Sequence, residues 1–160
     1  MTALATPVVV AEIGWVAMQI VDTAMVGRLG PEEIGAVGVG SILFFAFGVP
    51  GMALLLGLDT LISQAFGAGR RTECDRWLRH GVCLALGLAI PVGVLARVVG
   101  LGLDVWGLDP VVLALTRPYY AIITWSLLPL LLYAALRQYL QAVAVVTPIM
   151  VALVTANVVN

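Results

Sequence analysis

Long apolar runs alternate with short polar segments along the whole chain. This pattern predicts helices over about residues 6–28, 32–66, 73–99, 110–142 and 148–160. A helix of about 20 residues rises ~30 Å at ~1.5 Å per residue, which matches the hydrocarbon core of a bilayer. The first four runs are long enough to cross it, whereas the last, at about 13 residues, would rise only ~20 Å. The pattern therefore predicts an all-α, polytopic membrane protein with four full transmembrane helices and the start of a fifth.

Residues at the ends of the runs are typical of helix starts and stops. Pro31, followed by two acids, suits the first turn of the second helix, and Gly67-Ala68-Gly69 suits its end. Thr72 is a candidate N-cap of the third helix, and Asp109 with Pro110 should begin the fourth. The polar residues between the runs thus predict short loops within a single membrane domain, residues 1–160. Because the last run stops inside a helix, we expect the chain to be a fragment whose remainder lies beyond Asn160.

Composition agrees with a membrane protein and excludes an ordinary soluble domain. Of the 160 residues, 62% are hydrophobic and only 11% are charged, whereas a soluble domain is about half apolar and a quarter charged. With a net charge of −1 the chain has no positive electrostatic field that would attract nucleic acid, so no nucleic-acid partner is expected. We expect the helices to be surrounded by the lipid bilayer.

Arginines set the expected topology. Five lie near helix ends on one side of the predicted membrane, namely Arg70, Arg71, Arg76, Arg79 and Arg137, and three, namely Arg28, Arg97 and Arg117, lie on the other. By the positive-inside rule the first side, and with it the N-terminus, should be cytoplasmic, which fits an inner-membrane protein. On the outer side Arg97 should snorkel, and Trp106, Tyr119 and Tyr120 fit an aromatic belt with no site among them.

Asp22 stands out because it is a carboxylate inside an apolar run. It lies six residues before Arg28, roughly 9 Å below the mouth of the first helix. An ionised carboxylate at the centre of a spanning helix costs about 3 kcal/mol on insertion scales, so such groups face a bundle interior or a wet cavity. Asp22 should therefore point inward, where it either accepts packing hydrogen bonds or binds a coupling ion or substrate.

Other polar residues follow Asp22 at helical spacing. Glu12, Trp15, Gln19 and Asp22 are separated by steps of three or four, so they share one face of the first helix. Gln19 is a candidate neutral ligand beside the acid. Glu12 is open to both a structural and a binding role.

No catalytic pattern is present. The chain has no H-E-x-x-H, no G-x-S-x-G and no phosphate-binding loop. Glu12 and Asp22 are ~15 Å apart along one helix, too far to act on one substrate atom. We therefore expect no enzyme activity, no cofactor and no structural metal.

Four segments resemble the N-terminal part of multidrug and toxic compound extrusion transporters, the MATE family. They are PVVVAEIGWVAMQIVDTAMVGRLG, GLDTLISQAFGAGR, LRQYLQAVAVVTPIM and the final ANVVN, in the family's order over nearly the whole chain. The resemblance implies two six-helix lobes around a central cavity, of which this chain would form part of the N-lobe.

The resemblance also implies a function and a site. Family members export organic cations, drugs or metabolites against inflow of protons or sodium ions. The acid of the V-D-T motif, here Asp22, would be the coupling carboxylate, with Asn160 as a partner on the last helix and a sodium ion bound near Asp22 if sodium drives export. Asn157 lies three residues from Asn160 on the same helix face and is a further candidate. We expect the full-length protein to be monomeric.

An alternative function is a flippase of the same broad superfamily that moves a lipid-linked precursor. Such a substrate would call for basic residues along the cavity. The arginines here sit at helix ends, which favours export of cations.

Overall fold

The computed structural model describes the backbone of residues 2–159 and the side chains of residues 9, 10 and 12–157. This part of the chain is almost entirely helical and contains no strand. Its helices are α1 (Thr2–Val26), α2 (Pro31–Gly67), α3 (Arg71–Leu101), α4 (Pro110–Ile123), α5 (Leu127–Ala142) and α6 (Thr147–Val159). Short 3₁₀ turns, Leu103–Trp106 and Thr124–Ser126, precede α4 and join it to α5.

Three stretches of the described chain are long and apolar enough to cross a membrane. They are Pro31–Gly67 with 37 residues, Arg71–Leu101 with 31 and Pro110–Ala142 with 33. The all-α membrane fold predicted from the hydrophobic pattern is confirmed. The crossing by α1, which has 25 residues, stays a prediction.

Most predicted helix ends are found at or near their expected residues. Pro31 occupies the first turn of α2 with Glu32 and Glu33 behind it, and Gly69 takes a left-handed φ of 75° just after α2 ends. Asp109 caps α4 by accepting a hydrogen bond from the amide of Val111 at 2.8 Å.

The prediction of Thr72 as an N-cap is wrong. Helix α3 already begins at Arg71, so Thr72 lies inside its first turn, and no side chain caps this end. Arg70 instead pairs with Glu73 at 3.0 Å, one turn along the chain. This charged pair lies beside the helix start, but it accepts no hydrogen bond from the backbone amides there.

The predicted fourth helix, 110–142, is interrupted at Thr124–Ser126. Pro129 explains the position of the break, because it has no N–H to donate to the carbonyl of Trp125 and its ring clashes with that carbonyl. The carbonyl of Tyr120 accepts both the Thr124 amide and the Thr124 hydroxyl, the latter at 2.6 Å, which closes the last turn of α4. The break divides the membrane run into α4 and α5 without ending it.

A bundle of α2, α3, α4 and α5 forms the core. Helix α2 packs on the other three, and α3 also packs on α5. Leu55, Ile62 and Leu131 are fully buried where α2 and α5 meet. Gly51 lets the Leu131 side chain approach so closely that a Cβ there would lie 2.9 Å from its Cδ2.

Helices α1 and α6 form a separate pair beside this bundle. They pack mainly on each other, and α1 has only slight contact with α2. Ile149 and Leu153 of α6 pack against Trp15 of α1 and Leu140 of α5. The pair therefore meets the bundle near one end and leaves a space between them.

Candidate functional site

A cavity of about 700 Å³ lies between α1 and the bundle. Six residues of α1 form one wall, α2 forms the opposite wall, and residues from α4 to α5 complete it. Leu153 of α6 also reaches the lining. The α1–α6 pair and the four-helix core thus enclose this space jointly.

The α1 wall contains the polar stripe predicted from helical spacing. Trp15, Gln19 and Asp22 all line the cavity, together with Thr23 on the next position. The Thr23 hydroxyl donates to the carbonyl of Gln19 at 2.8 Å, one turn earlier in the helix. This placement agrees with the inward orientation predicted for Asp22, and the residue as a whole is exposed.

The opposite wall carries a hydroxyl pair that sequence reasoning missed. The Ser41 and Tyr119 hydroxyls lie 3.3 Å apart, and both residues line the cavity. The Tyr119 ring packs against Gly40, where a Cβ would lie 2.5 Å from the ring's Cδ1. Glycine at position 40 therefore allows α2 and α4 to hold this tyrosine at the cavity edge.

The aromatic belt prediction is wrong for two of its three residues. Tyr119 faces the cavity, and Tyr120 is only 2% exposed in the core around Leu43 and Phe44. Trp106 is exposed, as a belt residue should be. The depth of a tyrosine along a helix says where it lies relative to the membrane, but not which neighbouring helix it faces.

Glu12 lies outside this cavity and forms an ion pair with Arg137 of α5. The pair joins α1 to the bundle near the end where α6 also makes contact. Of the two roles left open for Glu12, this arrangement supports the structural one.

Asn157 also has a structural position. Its Nδ2 donates to the carbonyl of Gly14 at 3.0 Å and to that of Leu153 at 2.9 Å. These bonds tie α6 to α1, and Asn157 does not reach the cavity lining. Asn160, the other predicted partner of Asp22, lies outside the described residues.

The side chains that line the cavity favour binding of a cationic ligand. Among the described lining residues Asp22 is the one carboxylate, and none is Arg, Lys or His. Five aromatic residues share the lining: Trp15, Phe44, Phe45, Tyr119 and Tyr133. Aromatic faces attract cations by about 0.5–2 kcal/mol each, so ring and carboxylate attractions act in the same direction.

No set of three or more His, Cys, Asp or Glu side chains comes together within the described residues. A transition-metal or calcium site of the usual kind would need such a set. The described lining instead places one carboxylate, that of Asp22, in a cavity with neutral side-chain oxygens such as those of Gln19, Thr23 and Ser41.

Comparisons with known proteins give a consistent result. The family model described as MatE matches residues 7–160. A probable multidrug resistance protein NorM from Synechocystis sp. is 32% identical over 158 residues, which are 98% of this chain and 34% of that protein. The multidrug resistance protein NorM of Photobacterium profundum is 27% identical over 148 residues, 92% of this chain and 32% of that protein.

A third relative, a probable multidrug resistance protein NorM from Geobacillus kaustophilus, is 32% identical over 141 residues. The chain spans about a third of the length of these relatives. No solved structure matches it significantly. Since the family model covers all but the first residues of a chain built from long apolar helices, this chain belongs to the MatE family, whose members are membrane transporters and not enzymes.

Proposed function

We propose that the protein containing this chain exports organic cations, drugs or metabolites in exchange for protons or sodium ions. Asp22 is the coupling carboxylate in this proposal. The observation that carries it is the position of Asp22, the one carboxylate on the described lining of an aromatic cavity of about 700 Å³. The names of the relatives, which call them multidrug resistance proteins, support drugs as substrates.

Exchange follows from competition for one negative charge. A proton or sodium ion that neutralises Asp22 removes the attraction for an organic cation, so the two cations bind in turn and not together. Gln19 and Asn160 are proposed as neutral ligands for the coupling ion. The Ser41–Tyr119 hydroxyl pair on the facing wall offers hydrogen bonds to the departing or arriving substrate.

The slight packing of α1 on α2 supports a moving element. A ligand shifts a conformational equilibrium only by its difference in affinity for the two states. Neutralised Asp22 costs less to bury than the ionised form, so cation binding would favour the state in which α1 packs closer to the bundle. The α1–α6 pair would then move as a unit, held together by Asn157.

The wider arrangement is also part of the proposal. Two lobes would enclose the complete transport path, of which this chain supplies part of the N-lobe, and the complete protein would be a monomer in the inner membrane with its N-terminus in the cytoplasm. The arginine distribution supports this orientation.

A lipid-linked precursor is a weaker candidate substrate. Its diphosphate would need basic side chains, and the described lining of this cavity has none. The acid at position 22 would repel such a group.

The proposal is tested by reconstituting the complete protein in vesicles and following a fluorescent organic cation and a neutral dye of similar size. We expect the cation to be exported only when a proton or sodium gradient is imposed, and the neutral dye to be left behind. The gradient that drives export identifies the coupling ion. Equal transport of both dyes, or export without either gradient, would contradict the proposal.

Glu12→Gln is expected to keep gradient-driven export, because Glu12 pairs with Arg137 away from the cavity. Both side chains are partly exposed, at 53% and 23%, so losing the pair should reduce stability by less than about 1 kcal/mol. Transport assays and thermal unfolding of the purified protein measure the two effects. Loss of coupling at unchanged stability would place Glu12 in the coupling site after all.

A further inference from the structure

A second cavity, of about 620 Å³, lies between α3 and α4 at the end of α3 that is remote from Arg71. We call it the Arg97 groove. Its lining includes Arg97, Gly100 and Leu101 from α3, with Arg117, Pro118 and Ala121 from α4. It shares no lining residue with the cavity around Asp22.

Arg97 turns toward α4, which corrects the expectation that it snorkels outward. Its Nη1 donates to the carbonyl of Ala121 at 3.3 Å, and its guanidinium lies 5.8 Å from the centre of the Trp125 ring. Side chains on a helix lean toward its N-terminus, which for α3 is the opposite membrane side. Arg97 therefore leans into the membrane and reaches the end of α4.

The groove carries an uncompensated positive charge. Arg117 pairs with Asp104, whereas no carboxylate of the described residues lies within salt-bridge distance of Arg97. The Ala121 carbonyl accepts one of the five guanidinium N–H groups of Arg97. The other N–H groups lie in the same plane and can donate to a further acceptor. A charged guanidinium in a membrane is costly unless it meets an anion or water.

The surroundings of the groove are apolar and outward-facing. Four side chains near Arg97 are largely exposed, namely Val98 at 59% and Leu101 at 80% on α3, Ile122 at 72% on α4 and Trp125 at 75% on the turn after α4. In a membrane-spanning helix of this hydropathy, such exposed apolar side chains suit lipid chains better than water. An anion reaching Arg97 from this side would carry an apolar tail.

We propose that the Arg97 groove binds the headgroup phosphate of a phospholipid, with a preference for anionic phospholipids. The phosphate oxygens accept hydrogen bonds from the Arg97 N–H groups that do not donate to the Ala121 carbonyl. Two parallel bonds of this kind are the geometry that guanidinium and phosphate favour. Two arginines and one aspartate leave a net positive charge, so a lipid without a compensating ammonium group binds better. One acyl chain lies along the exposed apolar face beside Leu101 and Ile122.

The inference is independent of the proposed export function, because it concerns the opposite face of α4 from Tyr119 and involves neither Asp22 nor a coupling ion. A free phosphate ion has the same kind of oxygens as the lipid headgroup, but it has no acyl chain to contact the exposed apolar side chains beside the groove. This difference separates the two sources of the same chemistry.

The test uses the complete protein, stripped of lipid in detergent, and counts bound lipids by native mass spectrometry. Phosphatidylglycerol and phosphatidylcholine with identical acyl chains serve as probes. We expect Arg97→Gln to lower phosphatidylglycerol binding about fivefold, the factor that one arginine contributes near an anionic membrane surface. Arg28→Gln, in the turn after α1 and outside the groove, is the matched control and should bind as wild type does.

Leu101→Glu provides a second variant that leaves Arg97 and its contacts in place. Position 101 is the last residue of α3 and is highly exposed, so the added carboxylate alters the charge of the groove without disturbing packing. It should also abolish the preference for phosphatidylglycerol over phosphatidylcholine.

Equal binding of phosphatidylglycerol to wild type and both variants would overturn the proposal. Equal binding of the two lipids to wild type would also do so, since it would mean that a carboxylate elsewhere in the complete protein neutralises Arg97. Displacement of phosphatidylglycerol by millimolar inorganic phosphate would assign the groove to a free anion instead.

Discussion

Asp22→Asn is expected to abolish gradient-driven export of organic cations while leaving the protein folded in the membrane. The amide has almost the same shape as the carboxylate, so the change removes the charge and little else. Unit charges about 4 Å apart attract by about 4 kcal/mol at an effective dielectric constant of about 20, which corresponds to roughly 10²- to 10³-fold in cation affinity. Dye efflux measures the loss of export and binding assays measure the loss of cation affinity, both on vesicles with equal protein levels.

Asp59→Asn is the matched control for this experiment. It makes the same chemical change on α2, at a residue outside the cavity lining. We expect the control to transport as wild type does. Full export by Asp22→Asn, at protein levels equal to those of the control, would show that Asp22 only supports packing.

Gly40→Ala is expected to impair export of large cations more than of small ones. The new Cβ would lie 2.5 Å from Cδ1 and 2.7 Å from Cε1 of Tyr119. Because the ring is rigid, a small rotation of one terminal group cannot relieve these contacts. The ring must move into the cavity or α2 and α4 must separate, and overpacking of this kind costs about 1–3 kcal/mol. Transport of two dyes of different size, together with thermal unfolding, distinguishes a narrowed cavity from a loosened bundle.

Gly57→Ala on the same helix is the control, because a Cβ there meets nothing within 4 Å. Both variants replace glycine by alanine in α2, so their intrinsic helix propensities change alike. If Gly40→Ala transports both dyes as well as Gly57→Ala does, the Tyr119 ring does not shape the substrate path.

The α1 wall of the site could be predicted from the sequence because one helix defines it. A spacing of three or four residues places Trp15, Gln19 and Asp22 on one face, and the cost of a carboxylate in lipid turns that face inward. The same spacing also included Glu12, but ten residues along a helix amount to ~15 Å. At that distance Glu12 meets Arg137 and not the cavity.

The facing wall could not be predicted in this way because it depends on how separate helices meet. Ser41 and Tyr119 are 78 residues apart in the chain and become neighbours through the close contact at Gly40. The glycine itself was a signal, since small residues mark close helix approach in membranes, yet it does not say which residue of which helix fills the space.

The break between α4 and α5 has a local cause that the sequence contains. Pro129 is visible in the sequence, but a proline inside a membrane helix can produce a gentle bend as well as a break. Which of the two occurs depends on the neighbouring groups that hold the end of the helix. Here the Thr124 hydroxyl donates to the carbonyl of Tyr120, and Arg97 donates to that of Ala121. Those partners lie on the same short turn and on another helix.

The pairing of α1 with α6 imposes an order on biosynthesis. Gly14 and Asn157, which join the two helices, are 143 residues apart, so a ribosome adding about 5–20 residues per second needs roughly 7–30 s to make the second after the first. Throughout that interval α1 lacks the helix on which it mainly packs. Until α6 emerges, the packing available to α1 is its slight contact with α2, so α1 and α6 should reach their final positions together.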